Sequence, residues 1–189
     1  MKPTIGFAMC GSFCTFSQVI PIMQLLKEEG YHILPILSDT AYHTDTRFGT
    51  AESFCNTIES ICQHPIIHTI YAAEPIGPKK LLDALIIAPC TGNTLGKLAN
   101  GISDSSVTLA TKAHLRNARP VIVAVSTNDA LSGSAQNIGK LMGTKHYYFV
   151  PLRQDDPINK PTSVVADFTL IPQTLIKALN CEQIQPLLL

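Results

Sequence analysis

Three short stretches hold side chains that can grip an anion or a flat polar ring without using charge. The first is "CGSFCTFS", where Gly11 and Ser12 follow an apolar run and precede a helix-like segment. Glycine lets backbone come close to a ligand, serine offers a hydroxyl, and the free N–H groups of a helix start favour negative charge. The stretch is neither G-x-G-x-x-G nor a P-loop. A phosphate site and a plain strand-to-helix turn with Ser12 as N-cap both fit it. The second stretch is "ILSDTAY", with Ser38 just past a second apolar run and Asp39 and Thr40 beside it. A hydroxyl there suits a phosphate or a ribityl chain, and an acidic residue suits ribose hydroxyls; an ordinary Ser/Asp turn uses the same residues. The third and most specific is "IIAPCTGNTLGKLANGISDS". Pro89 stops a buried run, and Cys90, Thr91, Asn93 and Thr94 follow, small or uncharged, where a helix opens. Such a loop can hold the polar edge of a heteroaromatic ring.

These residues need elements to bring them together. "TIGFAMC" reads as a buried strand, followed by a helix from Phe13 to Glu29 with Phe16, Val19, Met23 and Leu26 on one face, Pro21 as an interruption and Gly30 as a stop. "YHILPIL" is a second strand, in which Pro35 argues for an edge or a bulge. "SDTAYHTDTRFGT" is a polar connection, "AESFCNTIESIC" a helix, "IIHTI" a short third strand and "GPKKLLD" a short helix opened by Pro78. Then come the strand "ALIIAPC", the helix of the third stretch, and a further helix capped by Ser103 or Asp104. "PVIVAVS" is the clearest strand of all. A helix from Ser132 or Ser134 to Gly143, the strand "HYYFVPL", the polar loop "RQDDPINKPTS", a last helix "IPQTLIKALN" and a tail complete the chain. Strands alternate with helices and several are apolar throughout. The expected class is therefore α/β: a three-layer, Rossmann-like parallel sheet with helices on both faces, in one domain spanning 1–189. In such sheets ligands sit beyond the carboxyl ends of the strands, which is where all three stretches fall.

Composition narrows the function. The 189 residues suffice for one sizeable core, and 46% are hydrophobic while 15% are charged. With a mean hydropathy of +0.19, disorder is excluded, and the apolar excess implies surface buried in an oligomer or against a partner. Fourteen basic residues balance fourteen acidic ones with no basic stripe, which argues against nucleic acid. Six cysteines show no C-x-x-C pair and no zinc spacing, so buried free thiols in a reducing compartment are expected, and no metal. The short first apolar run passes straight into Gly-Ser, unlike a signal peptide, and no run approaches the roughly 20 residues of a membrane span. The expectation is a cytoplasmic protein.

"APCTGNTLGKLANGISDSSVTLA" resembles the P-A-S-A-N-T-x-x-K-x-A-x-G-x-x-D-x-L signature of the flavoprotein-fold (flavodoxin-like) family, which includes the cysteine-decarboxylase flavoproteins. "GSFCTFSQ" and Ser38 match its phosphate loop and second-strand hydroxyl, and the likeness runs to about Met142. The resemblance implies FMN. Gly11, Ser12 and Ser38 would hold its phosphate and ribityl chain, Ser105 and Ser106 would add a hydroxyl to the phosphate, and Cys90, Thr91, Asn93 and Thr94 would line the isoalloxazine edge. "GFAMCGSFCTFSQVIPIMQLL" and "PLRQDDPINKPTSVVADF" resemble one branch of the family. Its members are the small subunits of two-subunit oxidoreductases of endospore-forming bacteria. These aromatise a dihydropyridine dicarboxylate beside a larger, NAD(P)-binding partner.

Two departures bear on activity. "VIVAVSTNDALSGSAQN", with Ser126, Thr127 and Asn128, stands where the decarboxylases carry a Pro-x-Met-Asn clamp, and no histidine lies between Gly11 and Tyr31. Decarboxylation of a cysteine-containing substrate is therefore disfavoured. Within the signature, Cys90 and Gly92 replace other small residues. A stand-alone FMN-dependent decarboxylase, a flavin prenyltransferase and a non-catalytic scaffold of the same fold remain as alternatives. For a dicarboxylate the available cations are Arg47, Lys112, Arg116, Arg153 and Lys160, each equally readable as a solvated surface charge. The six histidines read as hydrogen-bonded structural residues, and Pro65 spoils a helical pairing of His64 with His68.

Overall fold

The computed structural model describes residues 2–189. Its first strand, β1 (Thr4–Met9), leads through a 3-10 turn (Phe13–Thr15) into α1 (Phe16–Glu28). Phe16, Val19, Met23 and Leu26 form the buried face of α1, and Pro21 lies inside the helix on its exposed side. β2 (His32–Leu37), α2 (Asp39–His43), α3 (Ala51–Cys62) and α4 (Ile70–Ala73) follow. Next come β3 (Ala84–Cys90), α5 (Gly92–Ala99), α6 (Ser106–Leu115) and β4 (Val121–Thr127). The chain ends with α7 (Ala135–Met142), β5 (Tyr147–Phe149), β6 (Leu152–Arg153), β7 (Val164–Ala166) and α8 (Ile171–Leu179).

β2, β1, β3, β4 and β5 pair in that order, all parallel, with helices flanking the sheet. This is the doubly wound α/β order whose switch point lies between β1 and β3. β1, β3 and β4 are apolar and sealed along almost their whole length, as strands covered on both faces must be. Beyond Val123, where β5 stops, β4 takes β7 as an antiparallel partner at Ser126 and Thr127, and β7 in turn pairs with β6. No helix among the described residues is long and apolar enough to cross a membrane.

Several local expectations are corrected. "IIHTI" is not a strand: Ile67 alone bridges Ile36 at the outer edge of β2. The Ile67 N–H donates to the Pro35 carbonyl and the Leu37 N–H to the Ile67 carbonyl. Pro35 and Pro65 lack the N–H groups that would extend this ladder backwards. The Leu37 carbonyl is taken by the Ser106 hydroxyl, which ends the ladder forwards. Pro35 does mark an edge strand, since β2 ends the sheet. "GPKKLLD" is a turn with Lys80 at φ 50°, and the helix comes earlier as α4, capped by Thr69. The polar connection after Leu37 contains α2. Ser105, not Ser103 or Asp104, caps α6, in a reciprocal pair with Thr108. "HYYFVPL" divides at Pro151 into β5 and β6, and β7 lies just past the polar loop.

Candidate functional site

Two crevices open at the carboxyl ends of the parallel strands and meet at Gly11, Thr91 and Asn93, which line both. Gly11 follows β1, and Thr91 and Asn93 follow β3, so the junction lies at the switch point of the sheet. The smaller crevice encloses about 760 Å³ and is also lined by Ser38, Thr94, Ser105 and Ser106. The larger encloses about 1200 Å³, and Ser12, Phe48, Ser126, Asp129, Arg153 and Lys160 are among its walls. The structure thus brings Gly11, Ser38, Thr91, Asn93, Thr94, Ser105 and Ser106 around one space and puts Ser12 in the adjoining one. Cys90 lines neither: it is fully buried under the loop.

Most of these hydroxyls already have work in the backbone. Ser38 accepts from the Ala41 N–H, Thr91 from the Thr94 N–H at 3.4 Å, and Ser105 from the Thr108 N–H at 3.2 Å. The Ser106 hydroxyl, buried, reaches the end of β2. Each helix start is therefore fixed by its own cap, and α5 and α6 present their first turns to the smaller crevice already oriented. Ser12 and Ser126 share a hydrogen bond of 2.8 Å, tying the end of β1 to the end of β4. A Cβ at Gly11 would lie 3.1 Å from Thr40 Cγ2, a contact that the Thr40 side chain would have to relieve.

The thiols beneath the site are inert. Burial pushes Cys10 up to about 11 against a hydrogen bond from the Thr94 hydroxyl, and burial, with Cys10 beside it, pushes Cys90 well above the ordinary thiol value. Neither is a thiolate near neutral pH. Asp129 behaves oppositely. It accepts from the Thr127 hydroxyl at 2.6 Å and from Ser134 at 2.9 Å, and these bonds hold its carboxyl below the usual range. The knot is packed against Gly92: a Cβ there would meet Asp129, Ser134 and Thr127 oxygens, each at 2.8 Å. That is a physical reason for a glycine at this position of the signature.

Of the five cations, Arg153 and Lys160 line the larger crevice. Arg153 faces Asp167 at 3.8 Å and Lys160 faces Asp155 at 3.1 Å. Arg47 stacks over Phe48, Lys112 reaches Ser103, and Arg116 lies beside Gly77; none lines either crevice. Sequence reading passes over Asp129 and Phe48 as lining residues. Asp129 is legible in principle, because "STND" directly follows the clearest strand. Phe48 is not, because nothing in "TDTRFGT" says that this loop folds back over the first turn. His43 and His68, read as structural, line the smaller crevice.

Residues 1–167 match the family model described as Flavoprotein. The chain is 46% identical, over 97% of its length and 92% of the relative's, to the B-type subunit of dipicolinate synthase of Bacillus subtilis. It superposes on the crystal structure of the corresponding dipicolinate synthase subunit from Bacillus halodurans with a TM-score of 0.91, at 44% identity, covering 100% of this chain and 98% of the other. An FMN-dependent cysteine decarboxylase superposes with a TM-score of 0.68 at 22% identity, over 93% and 97% of the two chains, which is a likeness of fold.

Proposed function

The chain belongs to the flavoprotein family, and from that premise we propose that it is a B-type subunit of dipicolinate synthase. It would oxidise dihydrodipicolinate to pyridine-2,6-dicarboxylate together with the larger, NAD(P)-binding A-type subunit of that enzyme, in the cytoplasm of a sporulating mother cell. FMN is the cofactor this reading assigns, bound to one flavoprotein-type domain. The observation that carries it is the junction of two crevices at Gly11, Thr91 and Asn93. The donor set suits a flavin nucleotide: capped helix starts and hydroxyls for a phosphate and ribityl chain, and uncharged donors and acceptors for a ring edge. Gly11, Ser12, Ser38, Ser105 and Ser106 would hold the phosphate and chain, and Thr91, Asn93 and Thr94 the ring. A bound flavin supplies a two-electron acceptor.

Within the larger crevice, Arg153 and Lys160 are the side chains that would pair with the substrate's two carboxylates. Phe48 and Val165 supply apolar wall. Aromatisation of the ring provides the driving force, so the protein's part is orientation and charge matching.

Titration of the purified chain with FMN, followed by flavin absorbance and fluorescence, tests the cofactor. Asn93→Ala and Ser38→Ala should each weaken binding about tenfold, the cost of roughly 1.5 kcal/mol for one hydrogen bond to a charged or polarised group. Lys177→Ala, on α8, should leave it unchanged. Equal affinity in all three removes the site assignment. Mixing with the NAD(P)-binding partner and assaying dihydrodipicolinate oxidation tests the activity. A colourless chain that ignores FMN yet activates that partner would make it a scaffold.

A further inference from the structure

The smaller crevice contains more charge than its hydroxyl loops suggest. Besides Ser38, Thr94, Ser105 and Ser106, it is lined by Asp39, His43, His68, Lys97 and Asp104. The two imidazoles are held in place. The His68 ring stacks on Tyr42 with centroids 3.7 Å apart and planes 1° apart, and His43 meets the edge of the same tyrosine at 4.8 Å. His43 Nε2 lies 3.6 Å from the Asp39 carboxylate one turn back on α2. Across the crevice Lys97 is paired with Asp104 at 2.8 Å. The other titratable groups nearby are the Tyr42 phenol itself and two thiols, Cys10 on the floor and Cys55 of α3, whose Sγ lies 4.0 Å from the Tyr42 carbonyl. The pair makes an odd wall for a phosphate. With both imidazoles neutral, one lysine stands against two carboxylates, so the side-chain charge of the wall does not favour an anion. With both protonated the balance reverses to net positive.

We propose that His43 and His68 are the proton-dependent phosphate-binding wall of the smaller crevice, so that affinity for a phosphate monoester rises as pH falls while affinity for the same ligand without phosphate does not. The inference rests on the flavin-nucleotide reading above and adds residues and a regulation to it. Histidine is the side chain that changes charge between pH 5 and 8, and charge-assisted bonds to phosphate are the strong ones. While the imidazoles are neutral the carboxylates set the sign of the wall; once protonated, the imidazoles outweigh them. Discrimination of FMN from riboflavin would therefore be largest under mildly acidic conditions.

The test is titration of wild type and of the double variant His43→Gln/His68→Gln with FMN and with riboflavin, at pH 6 and pH 8 and constant ionic strength. FMN's own phosphate ionisation is common to both proteins and cancels in their ratio. Wild type should bind FMN about fivefold or more tighter than the variant at pH 6, as expected for partly solvated charge-assisted contacts, and equally at pH 8. Riboflavin should bind both proteins alike at both pH values. Equal FMN affinities at pH 6 overturn the inference while leaving the flavin site standing. A deficit that extends to riboflavin also overturns it, because the histidines would then be shaping the crevice rather than binding phosphate. If wild type binds FMN at neither pH, the nucleotide reading falls and takes this inference with it.

Discussion

The two ends of the same parallel strands are built from similar residue types and put them to opposite uses. At the amino ends, polar groups close the structure. The Asp83 carboxylate accepts from the Thr4 N–H at 2.8 Å and faces Arg119 at 3.3 Å. Arg119 also donates to the Leu82 and Lys80 carbonyls, Asn117 to the Gly77 carbonyl, and His114 bonds the Pro120 carbonyl. At the carboxyl ends, Ser38, Thr91 and Ser105 cap helices just as locally, yet their helix starts still face open crevices. Polar chemistry in a doubly wound sheet is therefore no mark of function by itself. What separates the ends is whether the satisfied groups leave a space beside them. Variants at the amino ends should change stability and leave ligand affinity alone, whereas those at the carboxyl ends should change affinity, with a stability cost where a helix cap is lost.

The largest effect expected from this contrast is at Gly77. A Cβ there would lie 2.7 Å from the Ala113 carbonyl oxygen and 3.1 Å from the Ala113 Cβ, in the seat of α6. Backbone cannot yield as a side-chain tip can, so Gly77→Val should cost about 3 kcal/mol in urea unfolding. The FMN affinity of the folded protein should be unaltered. A loss of affinity without loss of stability would break the division between the two ends.

Next in size is the acid response of His114. The ring is wholly buried, Nε2 faces the Pro120 carbonyl, and Nδ1 has no partner among the described residues. A second proton would put a charged N–H where nothing accepts it, and burial accordingly drives this histidine down to about 4. The unfolded chain, with an ordinary histidine near 6.5, binds the proton first. The stabilisation is therefore complete above about pH 6.5 and is lost progressively as pH falls, amounting to about 3 kcal/mol by pH 4. His114→Gln should flatten that limb of the stability–pH curve. An unchanged slope would mean that other groups govern acid unfolding. The contrast sharpens here: at one end protonation would weaken the fold, while at the other it is proposed to strengthen binding.

The same contrast explains what the sequence could reveal. Strands β1, β3 and β4 were legible because burial on both faces leaves an unbroken apolar run, and the helix faces because their period is unambiguous. The loops of the smaller crevice were legible as small, hydroxylic stretches at strand ends, but their caps were not: Ser38, Thr91 and Ser105 each hold a backbone N–H three residues on, and the cap of α6 falls at Ser105 rather than at Ser103 or Asp104. The larger crevice was not. Its outer wall comes from β6, β7 and the loop between them, two- and three-residue strands whose pairing with the end of β4 is non-local and has no period to detect. The same limit left Arg153 and Lys160 indistinguishable from Arg47, Lys112 and Arg116. Cys90 shows the converse error. It sits inside the family signature, but as the last residue of a strand buried on both faces it lies under the loop, where its role is packing.

The smallest effect expected concerns those two cations. Both side chains are a little over half exposed, and each already has a carboxylate partner, Asp167 for Arg153 and Asp155 for Lys160. Exposed pairs of this kind contribute little to folding, so Arg153→Gln and Lys160→Gln should leave thermal stability where it was. A dicarboxylate entering the larger crevice must compete with the resident carboxylates, so each cation offers only the surplus of one counter-ion over another. Each substitution should then weaken dipicolinate binding only about threefold at low salt, and less at roughly 0.5 M salt, where exposed charges are screened. Arg116→Gln, at the amino ends beside Gly77, is the matched control and should leave dipicolinate binding unchanged. A loss of binding equal in all three variants would reduce the effect to net charge. A loss specific to Arg153 and Lys160 and relieved by salt would place the substrate's carboxylates against a wall of the crevice that the parallel sheet does not build.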